Sequence, residues 1–237
     1  PDQFLIVING NLDNQKRSYL YYLKKKFKFI EIFYCKKIGI HNALNYGVDK
    51  SKYNIIFRAD SDDVDFKNRF KKQLHFFIKN KLDILGAVNI EVYNKNSCYI
   101  KKINEKPKLI NFLIRNPLNH MTVVFNKKKI KKLGLYPSIN LKEDYALWFK
   151  AYINNLKIQN MVEPLVYSYI DSNFYNRRKN FVSFFSEIKL TMFIFKLNYF
   201  IGTIMAFVTF LRCFILIMPN KFLKNLYKII LRKKTNK

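Results

Sequence analysis

The segment from Tyr53 to Phe70 reads YNIIFRADSDDVDFKNRF, and in it a short apolar run is followed at once by acidic residues. Asn54 to Phe57 has the length and composition of a buried strand. Four carboxylates follow within six positions, at Asp60, Asp62, Asp63 and Asp65. Their mutual repulsion is unfavourable unless a cation or a proton compensates it. A strand that ends in aspartates therefore predicts an α/β enzyme with a metal-bound ligand at the edge of its sheet.

The whole chain has 44 basic residues against 16 acidic ones, which gives a formal net charge of +28. Such a charge favours a polyanionic partner: nucleic acid, an anionic membrane surface or a phosphorylated substrate. A compositional bias is the alternative, because lysine, asparagine, isoleucine, phenylalanine and tyrosine are all frequent and much of the lysine would then only be solvated. The cysteines Cys35, Cys98 and Cys213 show no zinc or disulfide spacing, so we expect a reducing compartment.

Strand-like and helix-like segments alternate at the beginning of the chain. Strands are predicted at Phe4 to Ile8, Phe29 to Tyr34 and Asn54 to Phe57, and helices from Asp13 or Asn14 to about Lys25 and from Ile40 to Val48. This alternation predicts a mixed, mostly parallel sheet with helices on its faces. The chain starts at Pro1, directly before the first strand, so we expect its N-terminus to be truncated.

The middle of the chain continues with mixed elements. Helices are predicted at Lys67 to Lys79, Leu109 to Ile114 and from Lys142 onward, and strands at Ile84 to Tyr93, Ser97 to Lys102 and Met121 to Phe125. A polar loop from Asn116 to His120 precedes the last of these strands, and its proline restricts the backbone.

The C-terminal part, residues 173–237, is first basic and aromatic and then apolar. Tyr199 to Met218 is long enough to cross a bilayer by the ~20-residue rule, but Arg212 interrupts it, and an interfacial helical hairpin fits better. The tail from Lys221 to Lys237 is basic with interleaved apolar residues, as expected of a segment on an anionic leaflet. We therefore predict an enzyme domain at 1–172 followed by a helical, membrane-associating segment.

Four blocks of sequence together resemble the family 2 glycosyltransferases of bacterial polysaccharide assembly, the amylovoran and O-antigen type. In chain order they are ALNYGVDKSKYNIIFRADSDD at 43–63, NRFKKQ at 68–73, RNPLNHMTVVF at 115–125 and KEDYALW at 142–148. The order and the spacing of the four blocks both agree with the family. This match is more specific than a lone D-x-D motif, which is frequent by chance. The resemblance implies the GT-A fold, an α/β sandwich that binds a nucleotide-sugar at the carboxyl ends of its strands.

The chain departs from the family pattern near its beginning. The family's first strand is absent, and Asn9 stands where the family has an aspartate that faces the base or ribose of the nucleotide. Asparagine can still hydrogen-bond a base, as donor and acceptor. The family's asparagine ahead of Gly39 is replaced by Lys37. These departures put the donor specificity in doubt.

The resemblance assigns the donor half of the site to the aspartates. Asp62 is the expected ligand of Mg²⁺ or Mn²⁺, Asp60 would contact the ribose or a metal-bound water, and Asp63 would lie behind them. The alternative is that the aspartates only cap the helix near Lys67, which suits Asp65 well but not four acids.

The resemblance assigns the catalytic base to Asp144, with Glu143 orienting the acceptor or the base. The alternative is an acidic helix N-terminus that favours the helix dipole by ~0.3–1 kcal/mol. Trp148 could stack on a sugar or belong to the core. His120 could bind the metal, the diphosphate or the acceptor, or be structural.

Two pairs of arginines have separate expected roles. Arg177 and Arg178 correspond to a basic loop of the family near the donor phosphates, although they could contact lipid headgroups instead. Arg58 and Arg69 flank the aspartates and are expected to neutralise them.

The sequence therefore predicts an inverting, metal-dependent transferase that moves a sugar from a nucleoside diphosphate-sugar, with a UDP-hexose as the expected donor, to a hydroxyl of a lipid-linked oligosaccharide. Its expected place is the cytoplasmic face of the bacterial inner membrane. One alternative is a catalytically impaired, membrane-associated module. Another is a basic nucleic-acid-binding protein, which is not expected, because the aromatic residues follow core spacings and no recognition motif is present.

Overall fold

The computed structural model describes residues 1–94, 97–101, 103–170, 181–217 and 232–235 of the chain. Its strands are β1 (Phe4–Ile8), β2 (Ile30–Tyr34), β3 (Ile55–Phe57), β4 (Asp63–Asp65), β5 (Ile84–Asn94), β6 (Ser97–Lys101), β7 (Val124–Asn126), β8 (Ile158–Tyr169) and β9 (Arg232–Thr235). Its helices are α1 (Asn14–Lys26), α2 (Ile40–Lys50), α3 (Arg69–Lys79), α4 (Leu109–Ile114), α5 (Lys127–Lys132), α6 (Glu143–Ile153), α7 (Phe181–Leu197) and α8 (Tyr199–Ile217), with a 3₁₀ turn at His120–Thr122.

The N-terminal elements agree with the predicted alternation. β1 and β2 pair in parallel, with Phe4 opposite Ile30 and Ile8 opposite Tyr34. Asp13 caps α1 by accepting a hydrogen bond from the Lys16 amide at 2.7 Å. The predicted elements at this end of the chain are therefore confirmed.

The larger sheet has seven strands in the described part of the chain. Its main path runs β3, β7, β5, β6 and β9, while β8 lies along β5 and β4 lies along β8. Of the described strand pairings, β1 with β2 and β5 with β8 are parallel, and the other five are antiparallel. The α/β class and the mixed sheet are confirmed, but the expectation of mostly parallel pairing is wrong. Short connections such as that between β5 and β6 can only produce antiparallel neighbours.

Several elements differ from the sequence-based prediction. The strand expected at Met121 to Phe125 is a 3₁₀ turn followed by β7, because the Thr122 hydroxyl bonds both the Asn119 carbonyl at 2.7 Å and the Ala87 amide at 2.8 Å. Asp65 does not cap α3, whose cap position is Asn68. Strands β4 and β8 and helix α5 were not predicted.

The main core surrounds α6, which is apolar on nearly all sides. Ala146, Leu147, Trp148 and Phe149 are each 0% exposed. A helix buried on every face needs neighbours on every face. Helices α7 and α8 supply part of this cover, since Leu190, Ile194 and Met205 belong to the same buried cluster.

The predicted helical pair at the C-terminal end is present as α7 and α8, which break at Asn198 and pack on each other. None of the helices in the described part of the chain has the length and apolar character needed to cross a bilayer. Of the basic tail, the described residues Arg232–Thr235 form β9 against β6 rather than a helix, because a free sheet edge accepts a strand. The boundary at 172/173 lies outside the described residues, and the division into two parts remains a prediction.

Candidate active site

The aspartates follow β3 as predicted, and two arginines compensate part of their charge. The Arg58 guanidinium pairs with the Asp60 carboxylate, and the Arg58 amide bonds the Val123 carbonyl at 2.8 Å. Asp65 pairs with Arg69, whose side chain is fully buried. The expectation that both arginines neutralise aspartates is confirmed.

Arg69 also fixes the position of the aspartate segment. Its guanidinium donates to the backbone carbonyls of Arg58 and Met121, the latter at 2.8 Å, and to the Gln73 side chain at 3.0 Å. Gln73 in turn donates to the Thr122 carbonyl at 2.8 Å. A buried guanidinium with every arm occupied is rigid. It therefore joins the end of β3 to the 3₁₀ turn.

The charge of Asp63 is only partly compensated, by a hydrogen bond with Ser168 and by the charge of Arg58. The Oδ2 atom of Asp63 is buried and has no hydrogen-bond partner. Burial, together with the charges of Asp60 and Asp62, raises the pKa of Asp63 to about 7. A cation near these carboxylates would relieve this repulsion.

The aspartates fit a divalent cation whose remaining ligands come from substrate. No cluster of three or more His, Cys, Asp or Glu side chains with metal-binding geometry occurs among the described residues. Mg²⁺, however, is commonly held by one or two carboxylates and completed by water and phosphate oxygens. Asp62 is exposed and Asp60 is partly exposed, so both carboxylates are accessible to such an ion.

Asp144 lies at the first turn of α6, with both of its oxygens held. Oδ2 accepts a hydrogen bond from Asn116 Nδ2 at 2.7 Å, and Oδ1 accepts one from the Tyr145 amide at 2.7 Å. Burial nevertheless raises the pKa of Asp144 above its ordinary value. The neighbouring Glu143 has a buried Oε2 atom without a partner, and burial raises its pKa to about 7. Both carboxylates therefore bind a proton more readily than exposed ones.

The phenol of Tyr136 interacts electrostatically with both the aspartate segment and the carboxylates of α6. Burial raises its pKa, and the charges of Asp144, Glu143 and Asp60 raise it further, while Arg58 lowers it. Such interactions are strong only over short distances in a protein. The loop from Asn116 to Val123 also contacts both segments, because Asn116 bonds Asp144 and the Val123 carbonyl accepts from the Arg58 amide. That the two segments form one catalytic site remains a prediction.

His120 and Trp148 pack against the same tyrosine. His120 Nε2 lies 3.2 Å from the Tyr136 hydroxyl, and the His120 ring lies 6.2 Å from that of Trp148. Burial, and then the charge of Arg58, lowers the pKa of His120 well below its usual value, so the ring is neutral at pH 7. Trp148 is completely buried, so the suggestion that it stacks on a sugar is wrong and the alternative, a core residue, is confirmed.

Asn9 is engaged with its own chain. Its Nδ2 atom donates to the Lys37 carbonyl at 2.8 Å, and its Oδ1 atom accepts from the Gly39 amide at 2.9 Å. These bonds join the end of β1 to the loop before α2. A contact with the nucleotide remains a prediction. Arg177 and Arg178 lie outside the described residues, and their expected role near the donor phosphates also remains a prediction.

Two residues of the site were missed in the sequence. Asn116 belongs to one of the sequence blocks that resemble the family, but the functional hypothesis for this loop was placed on His120. Tyr136 lies in no motif, and its place beside His120 depends on a contact between distant parts of the chain. A polar loop in which an asparagine precedes proline is the signal that could have pointed to Asn116.

One protein-family model matches residues 1–185 of the chain, and its description is Glycosyl transferase family 2. The chain belongs to this family. The predicted resemblance to family 2 enzymes of the polysaccharide biosynthesis type is thereby confirmed.

Family 2 relatives cover most of the chain. The UDP-Gal:alpha-D-GlcNAc-diphosphoundecaprenol beta-1,3-galactosyltransferase of Escherichia coli is 28% identical, over 98% of this chain and 86% of the relative. The amylovoran biosynthesis glycosyltransferase AmsE of Erwinia amylovora is 27% identical, over 80% of this chain and 72% of the relative.

A similar fold occurs in the mannosyltransferase PcManGT from Pyrobaculum calidifontis, solved in complex with GDP-Man and Mn²⁺. The TM-score is 0.58 at 10% sequence identity, and the match covers 82% of this chain and 55% of that chain. This family 2 chain therefore has the predicted GT-A fold, and it spans a little over half of that structure.

Proposed function

We propose that this chain transfers a sugar, with inversion, from a UDP-hexose to a hydroxyl of a lipid-linked saccharide during the synthesis of a bacterial surface polysaccharide. The observation that carries the proposal is the loop from Asn116 to Val123 in a family 2 chain: Asn116 bonds Asp144, and the Val123 carbonyl accepts from the amide of Arg58, the partner of Asp60. Separate acidic groups on two sides of one region suit a reaction with a leaving phosphate and an attacking hydroxyl.

Asp62 and Asp60 would hold Mg²⁺ or Mn²⁺ on the donor side. When bound, the cation supplies a Lewis acid that neutralises the charge developing on the leaving diphosphate. The pKa of the half-buried Asp63 is raised to about 7 by burial and by the charges of Asp60 and Asp62, and a cation bound beside them would favour its ionised form. The Mn²⁺ and GDP-Man of the Pyrobaculum calidifontis structure support a divalent ion in a site of this fold.

Asp144 acts as the general base on the acceptor side. The acceptor oxygen forms a bond to the anomeric carbon while the bond from that carbon to the diphosphate oxygen breaks, and the acceptor proton passes to the Asp144 carboxylate. A single displacement of this kind inverts the anomeric configuration. Asn116 orients the Asp144 carboxylate. Because the pKa of Asp144 is raised, its carboxylate is a stronger base than that of an exposed aspartate.

A lipid-linked acceptor requires access to a membrane surface. Helices α7 and α8 expose several large apolar side chains, among them Phe181, Phe185, Met192, Tyr199, Phe200 and Phe207. Together with the net charge of +28, this surface favours peripheral association with an anionic leaflet, and we place the enzyme at the cytoplasmic face of the inner membrane. The Escherichia coli relative, whose name specifies a diphosphoundecaprenol-linked acceptor, supports this choice.

A nucleotide panel tests the donor assignment. We expect UDP and UDP-hexoses to raise the thermal unfolding temperature in the presence of Mn²⁺ and not after its removal with EDTA, because the diphosphate completes the cation site. GDP is the matched control. Stabilisation by GDP alone would contradict the UDP assignment, and binding of UDP-hexoses without any transfer or hydrolysis would favour the catalytically impaired alternative.

A further inference from the structure

A buried network of ions connects the C-terminal helices to the catalytic end of α6. We call Lys142, Glu187 and Arg212 the bridge. One oxygen of Glu187 pairs with Lys142 Nζ, and the other pairs with Arg212 Nη1 at 3.0 Å. Glu187 is 7% exposed. A buried carboxylate between two cations is stable only if both ion pairs keep short distances. The bridge therefore fixes the spacing of α6, α7 and α8.

Arg212 extends the bridge to two further points. Its Nη2 atom donates to the Leu113 carbonyl at the end of α4 and to the Tyr145 hydroxyl at 2.8 Å. The Tyr145 hydroxyl in turn donates to the Phe112 carbonyl. The guanidinium therefore holds the end of α4 against the first turn of α6.

These are the two segments that hold the Asp144 carboxylate. Asn116, which donates to Oδ2, lies three residues after Leu113, and Tyr145, whose amide donates to Oδ1, is the residue that Arg212 contacts. Lys142 occupies the position immediately before α6. Each support of the base is thus attached to the bridge.

Lys142 lowers the pKa of both Glu187 and Asp144. Burial alone would raise the pKa of Glu187, but Lys142 and Arg212 hold it below its ordinary value, so Glu187 is ionised. For Asp144 burial again raises the pKa, and Lys142 and Lys101 lower it. Among the described residues, Glu143, Tyr136 and Tyr145 also interact electrostatically with Asp144.

We propose that Glu187 is a positioning residue for the catalytic base: it holds Lys142 beside Asp144 and, with Arg212, fixes the hydrogen-bonded frame of that carboxylate. Glu187 itself does not touch substrate. The inference rests on the proposed role of Asp144 as the base. Seating of α7 and α8 on the domain is therefore required for an active site, in addition to any contact of these helices with a membrane.

The test is the titration of the Asp144 carboxyl carbon by ¹³C NMR in the full-length chain, with D144N to assign the resonance. K142M removes the ammonium while leaving Glu187 paired with Arg212, and we expect the pKa of Asp144 to rise by about one unit. E187Q should also raise it, because Lys142 is released to solvent. In K142M/E187Q the pKa should rise by less than the sum of the two single effects, since Glu187 acts in part through Lys142, and any rise beyond K142M measures the part that passes through Arg212.

The sign separates positioning from a simple charge effect, because loss of a nearby negative charge would by itself lower the pKa of Asp144. T209V is the matched control: it removes the 2.7 Å contact between Thr191 and Thr209 across the two helices, while the Thr191 bond to the Glu187 carbonyl and the side-chain pairs of the bridge stay in place. It should leave the titration unchanged.

A folded E187Q with an unchanged or lowered pKa of Asp144, or additive effects in the double variant, would overturn the proposal. If E187Q does not fold, E187D replaces it, because it keeps the charge for Arg212 but is one methylene too short to reach both cations. The titration needs no substrate. Absence of UDP release from UDP-hexoses by the wild-type chain would instead count against the proposed function, whatever the titration shows.

Discussion

At the scale of single residues, Glu143 carries the least compensated charge of α6. Its Oε2 atom is buried without a partner, and burial raises its pKa from 4.5 to about 7. Between these values the folded chain retains a proton that the unfolded chain has lost. Stability therefore falls as the pH rises through this window.

The substitution E143Q removes this dependence. We expect the thermal unfolding temperature of E143Q to exceed that of the wild type at pH 8, where the buried carboxylate is ionised, and the difference to shrink by pH 5, where it is protonated. E163Q is the control, since Glu163 is an exposed residue paired with Lys72. If the unfolding temperature of E143Q differed from that of the wild type by the same amount at pH 5 and pH 8, the raised pKa of Glu143 would be contradicted.

The residues proposed to perform the chemistry stand out in the sequence, whereas the residues that contact and position them do not. Asp60, Asp62 and Asp144 stand out because carboxylates are rare in this chain and occur in recognisable blocks. Asn116 and Tyr136 owe their roles to contacts between segments far apart in sequence. No local pattern encodes such contacts.

Among the helices and strands, those with a local sequence pattern could be predicted, and those that depend on long-range contacts could not. The alternation from β1 to β3 was predicted because each element has its own periodicity. β4 was hidden, because its three residues, Asp63–Asp65, look like part of an acidic loop and become a strand only through pairing with β8. The 3₁₀ turn replaced the start of a strand because the Thr122 side chain competes for backbone groups.

The contact between α7 and α8 depends on Gly202. A Cβ atom at this position would lie 2.4 Å from Phe195 Cα. We expect G202A to separate the helices and to lower the free energy of unfolding by about 1–3 kcal/mol, the usual cost of overpacking. Urea denaturation measures it, with T203A on the exposed side of the same helix as control. Equal stability of G202A and T203A would contradict the close packing.

At the scale of the whole molecule, the C-terminal helices have two faces with different roles. Their inner face supplies Leu190, Ile194 and Met205 to the main core, so deletion of the segment would expose that core. Their outer face exposes Phe200 and Phe207, at 73% and 67%. Membrane association is therefore better tested by surface substitutions than by truncation.

We expect the full-length chain to sediment with vesicles that contain phosphatidylglycerol and to be released as the ionic strength rises, because the attraction is partly electrostatic. F200S/F207S should weaken sedimentation while leaving the fold intact. Y19S/Y21S is the matched control, because these tyrosines of α1 are each 60% exposed but lie outside the helical pair. Equal loss in both double variants would contradict a specific role for the outer face of α7 and α8.

We propose that Asp62 and Asp144 belong to the donor and acceptor halves of one site. Sugar transfer by D144N, measured together with its affinity for UDP in the presence of Mn²⁺, tests this pairing. General base catalysis contributes about 10²–10⁴-fold. We expect D144N to lose transfer by about this factor while its UDP affinity stays at the wild-type value, and D62A to lose UDP affinity as well. Transfer by D144N at the wild-type rate would contradict this pairing.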